Sequence, residues 1–272
     1  MSAHPLPIAR GPGSGLLAEL MRREPTLARF GLLMWAAMLP VAIALAIDER
    51  TLRDANVWWK PLKFLMSIGA FSLTTAWFVG LLPEARRRAR PVRVVVATIV
   101  AAGAFEIAYI VLQAALGEAS HYNVGDPLHG ALYMLMAIGA ISLCATQPVL
   151  AFEIARHGAR DGGAWRASVV AGLALTGVLG IASGMPLGGL QPPSGGGLPV
   201  LGWHLTGDLR PAHFVGMHAH HLLPLAGLAL DVVAPRRARG VFTLVALAYV
   251  AGWAALMAAG FTGAAPPPAF GR

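Results

Sequence analysis

Seven long apolar segments constrain this chain more than any other feature of its sequence. They cover residues 28–47, 62–83, 92–116, 127–151, 166–187, 211–233 and 239–261. Each is close to or above the roughly 20 residues that a helix needs to cross the apolar core of a bilayer. A helix also satisfies its own backbone hydrogen bonds, which lipid cannot do. The sequence therefore predicts an all-α protein, a polytopic membrane bundle of seven transmembrane helices.

The scarcity of charge supports this class and leaves little room for anything else. Only 12% of the 272 residues are charged, against about 25% in soluble domains. We expect a cytoplasmic N-terminal tail at residues 1–27, a transmembrane domain at residues 28–261 and an outer C-terminal tail at residues 262–272. Within the N-terminal tail, residues 16–24 have the pattern of a short amphipathic helix, with a frayed tail as the alternative. The first apolar run begins only at Ala28 and no small-residue cleavage site follows it, so we expect no secretory signal.

The distribution of Lys and Arg predicts the orientation. With the N-terminus inside, 15 of the 21 basic residues fall in the inner segments. This excess on one side is the usual mark of the cytoplasmic face, and it predicts an N-in, C-out topology. The net charge of +8 then belongs to the cytoplasmic loops. We expect it to attract anionic membrane lipids, and we expect no nucleic acid partner.

One acidic residue, Glu106, lies inside a predicted span. A carboxylate there costs roughly 3 kcal/mol on insertion scales, so it usually faces the protein interior and has a partner. Tyr109 and Gln113 follow at helical spacing and share its face. We interpret Glu106 as a catalytic acid or base, or as a proton carrier, partnered by a histidine of the sixth span. The alternative is a structural hydrogen bond between helices.

Histidines are concentrated where the sixth predicted span begins. His213, His218, His220 and His221 fall within nine residues. His218 and His221 are three residues apart, so their side chains can converge on one ligand. Imidazole is a good ligand for iron, copper and zinc. We therefore predict a haem or transition-metal site whose candidate ligands are His121, His213, His218 and His221. The alternative is a set of neutral histidines that bond neighbouring helices, and the spacing matches no established metal motif.

A second cluster combines tryptophan and lysine at the start of the second span. Such residues are ordinary anchors at a membrane interface. They also suit a cationic, aromatic rim around a haem propionate, a lipid phosphate or a carboxylate. The candidate cofactor-binding residues are Trp59, Lys60, Lys63, Gln113 and Arg210.

Three blocks of sequence carry a resemblance to a known family. They are Trp59-Lys60-Pro61-Leu62-Lys63-Phe64, then Glu106 and Gln113 with Ser120-His121-Tyr122-Asn123, and then Gly207-Asp208-Leu209-Arg210 with Ala212-His213-Phe214 and Gly216-Met217-His218. Together they resemble a family of uncharacterised bacterial multi-spanning integral membrane proteins. The resemblance implies a multi-pass location in the inner (plasma) membrane and implies that the blocks belong together, but it implies no reaction.

Three functions remain open at this point. The first is a redox or sensing protein that binds haem or a transition metal at an outward-facing His/Glu site. The second is a membrane-embedded enzyme that acts on a lipid or quinone, with Glu106 and a histidine as acid and base. The third is a transporter or receptor for a small solute. The long Gly- and Pro-rich connection at residues 188–210 would be a lid over that site or a flexible linker.

Overall fold

The computed structural model describes residues 15–159, 163–193, 197–198 and 201–262, and within them the protein is built of helices and one short hairpin. The helices are α1 (Leu16–Arg23), α2 (Pro25–Ile47), α3 (Trp59–Val79), α4 (Glu84–Arg87), α5 (Arg90–Leu116), α6 (Pro127–His157), α7 (Trp165–Gly189), α8 (Arg210–Met217), α9 (Ala219–Val233) and α10 (Ala238–Phe261). The hairpin pairs β1 (Thr51–Leu52) with β2 (Ala55–Asn56) in antiparallel register. The prediction of an all-α bundle is confirmed. The C-terminal tail beyond Thr262 lies outside the described residues.

In the part of the chain that the structure describes, six helices are long and apolar enough to cross a membrane, against the seven predicted. They are α2, α3, α5, α6, α7 and α10. The remaining predicted segment, residues 211–233, is divided at His218 into α8 and the shorter apolar helix α9. The backbone of His218 has φ −93° and ψ 7°, which is outside the helical region. Hydropathy detects the apolar run but not a change of conformation at one residue, so the sequence did not reveal this break.

The first helix lies along the base of the bundle. In α1 the side chain of Leu20 is buried, whereas Leu16 and Leu17 are 69% and 53% exposed. A helix is therefore present over residues 16–23, but it buries Glu19 and Arg23 of its polar face and exposes two leucines of its apolar face. Arg23 in the last turn of α1 donates a hydrogen bond of 2.8 Å to the carbonyl of Trp77 in α3. The segment is therefore a helix packed on the bundle and not a frayed tail.

The remaining helices form two packed groups that share α5 and α6. The helix α3 packs against α2 and α5, and α7 packs against α6, α8 and α9. One core is centred on Ile99, Phe71 and Leu143, and another on Leu150, Leu173 and Val79. The two groups therefore meet around α5 and α6.

Three connections are joined at one end of the bundle, which we call the hairpin end. They are the β1–β2 hairpin, residues 117–126 and the described parts of the α7–α8 connection, residues 190–193, 197–198 and 201–209. The Nη1 atom of Arg50 in the hairpin donates to the carbonyl of Ala115 at 3.1 Å. The hydroxyl of Tyr122 donates to the carbonyl of Leu187 at 2.5 Å. The amide of Gly207 donates to the carbonyl of Ala259 at 3.1 Å, which attaches the last connection to the end of α10.

Candidate functional site

Four cationic side chains come close together at the hairpin end, and we call them the cationic cluster: Arg53, Lys60, Lys63 and Arg210. The charges of Lys60 and Arg53 interact, as do those of Lys63 and Arg210. The fold creates this proximity because the hairpin places Arg53 above the first turns of α3, which carry both lysines. Like charges repel one another, so an arrangement of this kind is costly unless an anion is present.

Among the described residues, one member of the cationic cluster forms an ion pair with an anionic side chain of the protein. Arg210 forms an ion pair of 2.8 Å with Asp208, which is 2% exposed. Asp208 also accepts from the amides of His204 and Arg210, each at 2.9 Å. Burial alone would raise the pKa of Asp208, but Arg210 and the two amides outweigh it and hold the pKa below its usual range. This set of contacts fixes the end of the α7–α8 connection, so Arg210 has a clear structural role.

The two lysines lack such a partner. Among the described residues neither Lys60 nor Lys63 forms a hydrogen bond or an ion pair. The Nζ atom of Lys60 lies 5.8 Å from the centroid of the Phe64 ring. Arg53 lies over the ring of Tyr122, with its Cζ atom 5.9 Å from the centroid. The cationic cluster therefore has excess positive charge and aromatic faces next to it.

Glu106 lies beneath the cationic cluster rather than beside the histidines of α8 and α9. Its side chain is buried, with 7% of the residue exposed, and it forms no hydrogen bond or ion pair among the described residues. The charge of Glu106 interacts with the charge of Lys60. The predicted Glu106–histidine pair is thus not formed within the part of the chain that the structure describes.

Two further polar groups of α5 are buried without a partner. The hydroxyl of Tyr109 and the Oε1 atom of Gln113 form no well-aligned hydrogen bond among the described residues, although the two side chains lie close to each other. Both lie on the face of α5 that also carries Glu106. A buried polar group without a partner costs roughly 1–3 kcal/mol, so these atoms are candidates for contact with a ligand or with water.

His121 belongs to the same region. Its ring contacts Phe64 and Tyr133, with centroid distances of 5.9 and 5.7 Å, and its Nδ1 atom lies 3.3 Å from the hydroxyl of Ser120. Burial, and after it the charge of Lys60, lowers the pKa of His121 to about 3. The imidazole is therefore neutral at pH 7. His121 lies with the cationic cluster and makes no ring contact with the histidines of α8 and α9.

The other predicted metal ligands separate into a pair and a single residue. The Nδ1 atoms of His218 and His221 are 3.2 Å apart. His213 instead lies 3.2 Å from the hydroxyl of Ser183 on α7. His220, which the sequence did not single out as a ligand, is fully buried and lies 3.1 Å from the hydroxyl of Thr176. Of the four predicted ligands, the structure brings only His218 and His221 within reach of one ion.

The distance within this pair suits a metal ion. Two nitrogens bound tetrahedrally at 2.0–2.1 Å lie about 3.3 Å apart, close to the observed separation. The Nε2 atom of His221 is buried and has no hydrogen-bond partner among the described residues. No group of three or more His, Cys, Asp or Glu residues that could hold a metal ion is found in the described ranges. A bound ion would therefore take its other ligands from water or from a bound anion.

Trp59 differs from the other predicted rim residues. It is 40% exposed at the first position of α3. Its neighbour Trp58 is the residue that donates to Asp48, with the indole nitrogen 2.8 Å from Oδ2. The position of Trp59 is that of an interfacial anchor.

Sequence reasoning missed three contributors to this region: Arg53, Tyr122 and Tyr133. The ring of Tyr133 lies 5.5 Å from that of Tyr122, and its hydroxyl donates to the carbonyl of Gly188 at 2.7 Å. Each of the three lies in a different segment of the chain. Their proximity follows from helix packing, and no local sequence pattern could have revealed it.

Comparisons of this chain with family models, with curated proteins and with solved structures gave no match. Its function therefore has to be argued from its own residues.

Proposed function

We propose that this integral membrane protein binds an anionic small molecule at the hairpin end. The observation that carries the proposal is the cationic cluster, in which Lys60 and Lys63 have no ion pair among the described residues. Hydrogen bonds between ionised partners are roughly twice as strong as neutral ones. A carboxylate or a phosphate would therefore relieve the repulsion between the clustered cations and satisfy their donors.

The groups beneath the cationic cluster suit the same ligand. Tyr109 and Gln113 have buried atoms that need hydrogen-bond partners. Glu106 lies on the same face of α5 as these two residues and is buried, and we propose it as the group that exchanges a proton with the ligand. In a membrane-embedded enzyme that acts on a lipid or quinone this exchange would be part of the reaction, and in a transporter it would couple movement of the anion to a proton.

The orientation of the protein decides the side from which a ligand enters. We propose that α8 and α9 together make a seventh crossing, and that the N-terminus is inside and the C-terminus outside. The excess of Arg in the segments opposite the hairpin end supports this orientation. In the inner membrane of a bacterium the hairpin end would then face outward, and the anion would enter from the periplasmic side.

Anion binding can be tested with small probes. We would reconstitute the protein in nanodiscs of neutral lipid and measure the binding of radiolabelled methyl phosphate and acetate by equilibrium dialysis. Losing a charge-assisted hydrogen bond costs roughly 1.5–3 kcal/mol, so Lys63→Gln should weaken binding of at least one probe by about tenfold or more. Added salt should also weaken it, since ions screen the attraction between the anion and the cationic cluster.

The matched control is Arg88→Gln. The side chain of Arg88 is 82% exposed and lies in the α4–α5 turn, away from the hairpin end. This variant should bind both probes like the wild type. Binding of neither probe, or equal binding by Lys63→Gln and the wild type, would overturn the proposal.

A second function is favoured by one separate observation, the 3.2 Å distance between the Nδ1 atoms of His218 and His221. We propose that this pair binds a transition metal ion, or that one of its imidazoles is an axial ligand of haem. Imidazole is a common ligand for such metals. When bound, the metal would supply redox or Lewis-acid chemistry, which fits a redox or sensing protein. The two histidines would hold and orient it.

A further inference from the structure

A groove of about 570 Å³ opens beside the cationic cluster. Its walls are the end of the α5–α6 connection, the first two turns of α6 and the last turn of α7. They are formed by Val124, Gly125, Asp126, Pro127, Gly130, Tyr133, Met134 and Gly188. Most of these side chains are apolar or absent, and the groove lies within the size range of pockets that hold small organic ligands.

The floor of the groove is open because two of its residues are glycines. A Cβ atom added at Gly125 or at Gly130 would meet no heavy atom within 4 Å. The one carboxylate in the wall, Asp126, is occupied: it accepts from the amides of Leu128 and His129 and contacts the His129 ring at 2.5 Å. The other ring nitrogen of His129 lies 3.1 Å from Glu118, so the two carboxylates share one imidazole.

Tyr133 forms the boundary between the groove and the cationic cluster. On one side its ring contacts His121 and Tyr122. Those two residues in turn lie next to Lys60 and Arg53. The side chain of Met134, the next residue of α6, is 62% exposed and faces the surroundings of the bundle. A molecule that passes Tyr133 would thus have a charged end among cations and an apolar end in the groove.

We propose that the anion is the head group of a membrane amphiphile, a lipid that bears a phosphate or carboxylate and whose hydrocarbon chain lies in this groove. The inference rests on the proposed anion site and adds the class of ligand. Charge complementarity selects the occupant: a neutral lipid would leave the cationic cluster unpaired, and a short anion would leave the apolar groove empty.

Chain length separates this inference from simple anion binding. We would compare methyl phosphate with octyl phosphate, which share a head group, at free aqueous concentrations corrected with empty nanodiscs. Each buried methylene contributes about 0.8 kcal/mol, or about fourfold in affinity, so burial of about two methylenes predicts roughly tenfold tighter binding of octyl phosphate. A wild-type protein that binds the two probes equally would overturn the inference and leave the anion site standing.

A variant that fills the groove tests whether the hydrocarbon chain lies there. Gly130→Leu should fold, because open space surrounds the position, and it should abolish the advantage of octyl phosphate while binding methyl phosphate like the wild type. The matched control is Gly252→Leu on α10, where an added Cβ also meets nothing within 4 Å and where the advantage should persist. If Gly130→Leu keeps the full advantage, the chain lies elsewhere and the inference fails. If methyl phosphate does not bind the wild type at all, the anion site itself is what fails.

Discussion

At the scale of single residues, side chains of the same type have different roles because their neighbours differ. Arg210 and Lys63 are close in space, yet Arg210 is held by the buried Asp208 while Lys63 has no ion pair among the described residues. The histidines divide in the same way. His220 and His213 each lie next to a hydroxyl of α7, and His218 and His221 lie next to each other. The residues whose hydrogen bonds remain available are the better candidates for ligand binding.

The histidine pair leads to a prediction about metal. The wild type should bind Co²⁺ or Zn²⁺ with an affinity that falls at least about tenfold in His218→Ala and in His221→Ala, since even outer-shell changes cost 10–100-fold at metal sites. Titration followed by the visible spectrum of Co²⁺ would measure this, and a Soret band in the purified protein would identify haem. His157→Ala is the control, because His157 lies against Glu153 in the last turn of α6. Full retention of metal in both variants would remove the pair from consideration.

At the scale of helices, close approach through glycine determines how α7 meets the broken pair α8 and α9. An added Cβ at Gly172 would lie 2.8 Å from the carbonyl oxygen of Ala219 and 3.1 Å from the Cα atom of His220. Both are backbone atoms, which cannot move out of the way as the end of a flexible side chain can. At the same contact the hydroxyl of Thr176 accepts from the amide of His220 at 2.9 Å. The α7–α9 contact therefore places the histidine pair.

This contact predicts the effect of one methyl group. Gly172→Ala should lower the free energy of unfolding by about 1–3 kcal/mol, the usual cost of overpacking. Thermal unfolding in detergent would measure the change. Gly189→Ala, at the last position of α7 where an added Cβ meets nothing within 4 Å, should stay within about 0.5 kcal/mol of the wild type. Equal stability of the two variants would mean that the helices do not approach as closely as described.

At the scale of the whole molecule, polar residues are distributed unequally between the two ends. Arg86 and Glu153 form an ion pair of 2.5 Å at the end opposite the hairpin, and Asp231 accepts from the amides of Ala164 and Trp165 there. These charged side chains therefore have partners within the protein. At the hairpin end, two lysines of the cationic cluster have no ion pair among the described residues, so we expect an anionic ligand to enter from that side.

The orientation can be measured in intact cells. In a Cys144→Ala background, Thr206→Cys in the α7–α8 connection should react with a membrane-impermeant thiol reagent. Arg88→Cys in the turn after α4 should not react until the membrane is opened. Both positions are exposed, so burial does not account for a difference between them. The opposite pattern would place the hairpin end in the cytoplasm and reverse the proposed direction of entry.

The sequence by itself determined that this chain forms long membrane helices, since the apolar content of a segment is a local property and a bilayer requires it. It also indicated that Glu106, the lysines of α3 and the histidines were unusual, because polar groups in such segments are costly. It did not determine which of them meet. The break at His218, the proximity of Lys60 to Glu106 and the meeting of Arg53, Tyr122 and Tyr133 depend on how distant helices pack. Only the tertiary structure decided these, because the contacts join distant segments and no local sequence pattern indicates which segments come together.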